Sequence, residues 1–213
     1  PPRSTLFPYT TLFRSDLIKV PAGLLKTPEL SGPVWQITMR PFAIVYGSES
    51  DKEKAESLAL WWRKFAKGKA RMFSAAEVTD AVAQQYSLIL VGTPSTNSYL
   101  ASVADSLPIT ITDSEFVLPN GEKYAAKDRG LMMLYPNPKA PANLLLVCSG
   151  GLYGVQLPVN HRLDMVPDYL VYEPVGDSLY DTEDKVLAGG FFDECWKFAP
   201  RLHDKAKEAD ERP

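Results

Sequence analysis

The chain has 213 residues, with 23 Lys+Arg against 26 Asp+Glu and 45% apolar residues. That length suits one large domain or two small ones with a buried core, and a formal charge of −3 lacks the basic excess of a nucleic-acid binder. No apolar run reaches the roughly 18–20 residues of a membrane span, and Cys148, Cys195, His161 and His203 are too few for a disulfide scaffold or a Cys/His metal centre.

Residues 1–15 read PPRSTLFPYTTLFRS, with no acid and no helical or strand period. They lack the apolar stretch and the small-residue cleavage site of a signal peptide. The string resembles a translated short-read sequencing adapter over its whole length, so a non-native leader is expected, with the native reading starting at Asp16. On that reading the true N-terminus is missing, and the compartment stays open.

Residues 16–40 carry Pro21, Pro28, Gly32 and Pro33 and read as an interdomain connecting segment, with one short strand at Leu17–Val20. Phe42–Tyr46 is a continuous apolar run ending at Gly47-Ser48, as in a strand buried on both faces. Ala55, Leu58, Ala59, Trp62, Phe65 and Ala66 then recur at helical spacing. Ser50 or Asp51 is placed to cap this helix and Gly68 to end it, with Trp62 turned inward and Trp61 towards an edge or interface. Residues 70–78 suit a second strand and loop, and Thr79 or Asp80 opens a short helix through Gln85. Ser87–Val91 is a third buried strand ending at Gly92, and Ser95 or Asn97 starts a further helix with Leu100, Val103 and Ala104 inward. This alternation predicts an α/β fold, a doubly wound flavodoxin- or Rossmann-like parallel sheet over residues 41–200.

The second half changes pattern. Turns at Asp113-Ser114 and Asn120-Gly121 predict hairpins. The strands predicted at Leu131–Tyr135, Asn143–Cys148, Asp168–Glu173 and Val186–Phe192 have no helical period between them. They read as an antiparallel extension of the sheet. Residues 201–213 are charged and poor in apolar groups, so a frayed helix or disorder is expected.

For chemistry, a serine hydrolase needs its nucleophile on a Gly-x-Ser-x-Gly elbow, which the chain lacks. Cys148-Ser149-Gly150-Gly151, with His161 and Asp168 downstream, is the nearest imitation. It is weighed against a glycine turn after a buried strand, with Cys148 a small core residue. The second candidate is a phosphate or carboxylate site. Gly47, Ser48, Gly92, Thr93, Ser95 and Asn97 lie where strands end and helices begin, and backbone N–H groups there hold anions. Ordinary helix capping by Ser and Asn competes with that reading. The acid pairs Glu77/Asp80 and Asp193/Glu194 read as solvated charges or caps. No catalytic residue, cofactor or metal is assigned.

Six strings in order carry a resemblance: Lys26–Pro33, Pro41–Gly47, Tyr86–Asn97, Leu107–Ile109 with Tyr135–Pro138, Val166–Tyr172 and Gly189–Trp196. Together they resemble the C-terminal α/β domain of large bacterial prolyl-oligopeptidase-like and esterase-like α/β-hydrolases, over about residues 26–198. Ser87, where the pattern has Asn, and Ala81, near an expected acid, are departures at what read as surface positions. The resemblance implies a non-catalytic accessory domain whose partner is a missing N-terminal hydrolase domain of the same polypeptide. The alternatives are a flavodoxin-like anion-binding module and an autonomous hydrolase using Ser149.

Overall fold

The computed structural model describes residues 23–155, 157, 162–163, 166–174 and 184–206. The leader, the strand expected at Leu17–Val20 and His161 lie outside the described residues. The described fold is mixed α/β. Its main sheet has eight strands: β1 Phe42–Tyr46, β2 Arg71–Ser74, β3 Ser87–Val91, β7 Gly130–Asn137, β8 Ala140–Gly150, β9 Tyr169–Glu173, β10 Lys185–Phe192 and β11 Phe198–Lys205. They lie in the order β11-β10-β9-β7-β8-β3-β1-β2. A second sheet, β4 Thr110–Ile111, β5 Glu115–Val117 and β6 Lys123–Ala125, is antiparallel.

Strands β2, β1, β3 and β8 are mutually parallel, whereas β7 runs antiparallel to both its neighbours, as do β10 and β11 to theirs. The switch happens at one hairpin. Pro138-Lys139 turns β7 into β8, and β8 then lays Leu145–Cys148 beside Leu88–Val91 of β3. Nearly every side chain of β1, of β3 and of residues 143–149 in β8 is buried in consequence, which is why Phe42–Tyr46, Leu88–Val91 and Leu144–Cys148 read as apolar runs.

Helix α1, Glu49–Ala66, packs on β1 and β3; α2 is Asp80–Gln85 and α3 is Ser98–Ala101. The start of α1 is closed by a reciprocal capping box. Asp51 N donates to Ser48 Oγ at 3.2 Å, and Ser48 N donates to Asp51 Oδ2 at 3.0 Å. The cap is therefore Ser48, two or three residues ahead of the expected position, and Lys67 ends the helix in the left-handed region. Thr79 caps α2 and Asn97 caps α3, both among the expected candidates.

Three expectations are corrected. Residues Arg201–Lys205 form the second half of edge strand β11 rather than a frayed helix or disorder, and 207–213 lie outside the described residues. Charged side chains suit an edge strand, because they discourage a further strand from pairing there. Trp61, expected at an edge or interface, is the more buried tryptophan of α1, with Arg162 over its ring at 5.8 Å, while Trp62 packs edge-on against Phe42 of β1 at 4.9 Å, inward as expected. Ser87 is 1% exposed, and its Oγ accepts from Leu144 N at 3.2 Å across to β8. In the entry segment, a 3-10 helix at Val34–Met39 buries Val34 and Ile37 completely, while Trp35 stands edge-on to Phe65 at 5.3 Å.

Candidate functional site

The strand-end loops do converge. A Cβ at Gly47 would collide with Thr96 O, so the two loops are in backbone contact. Asn97 is fully buried beneath them. Its amide Nδ2 donates to Val45 O at 3.3 Å and Val91 O at 3.1 Å, and its Oδ1 accepts from Leu100 N at 3.0 Å. One side chain thus ties the ends of β1 and β3 to the start of α3.

The donors of these loops are already engaged by the chain's own carboxylates. Asp51 is 5% exposed and takes both Ser48 N and Ser48 Oγ; a Cβ at Gly92 would lie 2.7 Å from its Oδ2. Asp113, arriving from the turn between β4 and β5, accepts from Thr93 Oγ1 and Ser95 Oγ at 2.6 Å each. Those hydroxyls, Ser95 foremost, hold the Asp113 carboxyl below its ordinary range. Gly47, Ser48, Gly92, Thr93, Ser95 and Asn97 are brought together as the sequence suggests. Two of the chain's own carboxylates, Asp51, read from the sequence as a helix cap, and Asp113, read as a turn residue, sit among them.

Ser149 is on β8 with no exposure, and its Oγ has no hydrogen-bond partner among the described residues. Leu131 of β7 pairs with Ser149 on one side and Val171 on the other, whereas Asp168 O accepts from Leu134 N. Asp168 is therefore three residues along the sheet and two strands across it from Ser149, roughly 10 Å in each direction at strand spacing. Burial pushes the neighbouring Cys148 thiol up to about 12, so it stays protonated and inert. None of this has the access or the base contact that a nucleophile requires.

Asp168 has another occupation. Lys26 Nζ reaches its Oδ2 at 2.5 Å, donates to Phe192 O at 2.8 Å and stands 4.8 Å from the centre of the Trp196 ring. Phe192 N donates to the same carboxylate oxygen at 2.9 Å. Gly32 closes the other side, since a Cβ there would collide with Asp168 Oδ1. Burial raises the Asp168 carboxyl, with Lys26 opposing that shift. A second polar knot joins the two sheets. His203 of β11 meets Tyr169 Oη at 2.9 Å and Glu122 Oε2 at 3.3 Å, and Glu122 accepts from Tyr124 Oη at 2.7 Å.

An open groove of about 750 Å³ crosses β9, β10 and β11 over Leu170, Gly189, Phe191 and Arg201. Among the described residues no group of three or more His, Cys, Asp or Glu is placed to hold a metal ion. No described helix is long and apolar enough to cross a membrane. Comparison of the chain with protein-family models, with curated proteins and with solved structures gives no match.

Proposed function

We propose that this chain is the non-catalytic C-terminal accessory domain of a larger serine hydrolase, a prolyl-oligopeptidase-like peptidase or esterase. The observation that carries the reading is the knot at Asp168. Three of the six strings on which the resemblance rests, Lys26–Pro33, Val166–Tyr172 and Gly189–Trp196, supply its members Lys26, Gly32, Asp168, Phe192 and Trp196. Strings that meet in one buried contact belong to one folding unit, and the entry segment is part of that unit. The sealed Ser149 and the thiol form of Cys148 favour an accessory role over an autonomous hydrolase. For the finer fold, the order β2-β1-β3 with α1 and α2 as crossovers supports a doubly wound, flavodoxin-like arrangement.

The test is the DNA upstream of the Asp16 codon in the source organism. The expected result is a continuous frame encoding a catalytic domain with a Gly-x-Ser-x-Gly elbow. A start codon close to Asp16, or a different kind of domain, overturns the proposal.

A further inference from the structure

We infer that the free edge of β2 is a docking site for an extended acidic peptide segment, which adds to the sheet as a further strand. β2 has only β1 beside it among the described residues, and the two are parallel. In such a ladder every second residue turns its N–H and C=O away from the partner, towards the open edge. Ser74 closes the far end, because its N–H and Oγ donate to the Glu77 carboxylate at 2.7 and 2.8 Å. The stretch ahead of it, Lys69–Phe73, lines a trough of about 620 Å³ by itself. Side chains of both faces share that wall, so the trough lies along the edge, where a neighbouring strand would run.

The two faces beside the trough differ. Arg71 stands over the Tyr86 ring at 5.8 Å and Phe73 lies 6.4 Å from it, so that side is filled. On the other side Ala70 and Met72 meet Ala59 and Leu60 of α1 around an open cleft of about 370 Å³. A strand in the trough sends alternate side chains into this cleft, which is how strand addition gains specificity. Both spaces are walled by α1, β2 and the turn between them alone.

Charge names the occupant. From the end of α1 into β2 the chain carries Arg63, Lys64, Lys67, Lys69 and Arg71 with no acid between them. None of these has an ion-pair partner among the described residues, and Glu56 is the one acid at the cleft. The first three answer to the C-terminal end of α1, but Lys69 and Arg71 lie beyond it. Cations on an edge ordinarily turn other strands away, as the mixed charges of β11 do. Being all of one sign here, they reject a basic strand and admit an acidic one. The site stands or falls independently of the accessory-domain reading.

The probe is the end-blocked peptide Glu-Val-Glu-Leu-Glu-Val with a fluorophore, titrated with the full chain at constant ionic strength and read by anisotropy. Its comparators are Lys-Val-Lys-Leu-Lys-Val, and Glu-Pro-Glu-Pro-Glu-Val, which keeps the charge but lacks strand donors. Only the first is expected to give a saturable rise, and it should slow hydrogen exchange along Lys69–Ser74. Arg63→Glu combined with Lys69→Glu, both exposed positions, should weaken it by about tenfold through like-charge repulsion. Equal binding of the three peptides, no saturation, unchanged exchange along β2, or undiminished affinity in the charge-reversed variant overturns the inference. So does a dimer of the unliganded chain that the same variant breaks, since a second copy then holds the edge.

Discussion

Two side chains with opposite surroundings, Asp113 and Ser149, show how single residues divide the chemistry of this chain. Asp113 is open to water, and Ser95 and Thr93 hold its carboxyl below the ordinary range. A carboxylate with a depressed native pKa lends stability above its unfolded value and loses it as the pH falls through the native one. Asp113→Asn should therefore lower the melting temperature at neutral pH, and the gap from the parent should close in acid. A gap independent of pH would show that geometry, not charge, holds the loop. Ser149 is the contrasting case, since its hydroxyl is buried without a partner among the described residues. Ser149→Ala is expected to be neutral or stabilising, within about 1 kcal/mol by denaturant melts, because no hydrogen bond is lost. A large destabilisation would reveal a bond to that oxygen.

At the scale of elements, the Lys26–Asp168 pair joins the entry segment to the start of β9 and the end of β10. Removing one partner of a buried pair costs about 3–5 kcal/mol, because the other is left charged and dry. Lys26→Met should show a loss of that order at neutral pH. Asp168 already has a raised carboxyl pKa, so the sign is opposite to that of Asp113. Stability falls as the pH climbs from the unfolded value through the native one, and Lys26→Met should widen that fall. The loss should shrink in acid, where Asp168 takes up a proton. A loss below about 1 kcal/mol at neutral pH would place the pair among weak surface bridges. The same elements show what a sequence reveals. Strands β1 and β3 were legible to the residue, because burial on both faces leaves continuous apolar runs. β11 was hidden, since Arg201, Asp204 and Lys205 answer to an edge position that only pairing with β10 defines.

For the whole molecule, the strand-end loops were legible as a cluster, but Asp113 was not, because the β4–β5 turn reaches Thr93 and Ser95 only through the tertiary fold. Trp61 was misjudged for a similar reason. Helical period places a residue on a face, and it is silent on Arg162 arriving from a distant segment. The Asp168 knot spans 142 positions between Lys26 and its partner, beyond the reach of any local pattern. With Ser149 sealed and Cys148 a buried thiol, no turnover of p-nitrophenyl esters or peptide p-nitroanilides above buffer is expected from this chain. A rate that Ser149→Ala abolishes would restore the autonomous-hydrolase reading.

The ladder between β10 and β11 also fixes how the molecule bears a load. Lys26 N is bonded to Glu194 O just past one end of β10, and Ala206 N is bonded to Leu187 O near the other. β11 runs between them, antiparallel to β10. Tension applied at Lys26 and Ala206 would pull along β11 rather than across it. The bonds of that ladder would then have to break together in shear, instead of opening one at a time like a zipper. A pull on the segment around Lys26 would meet the stiff direction of the sheet.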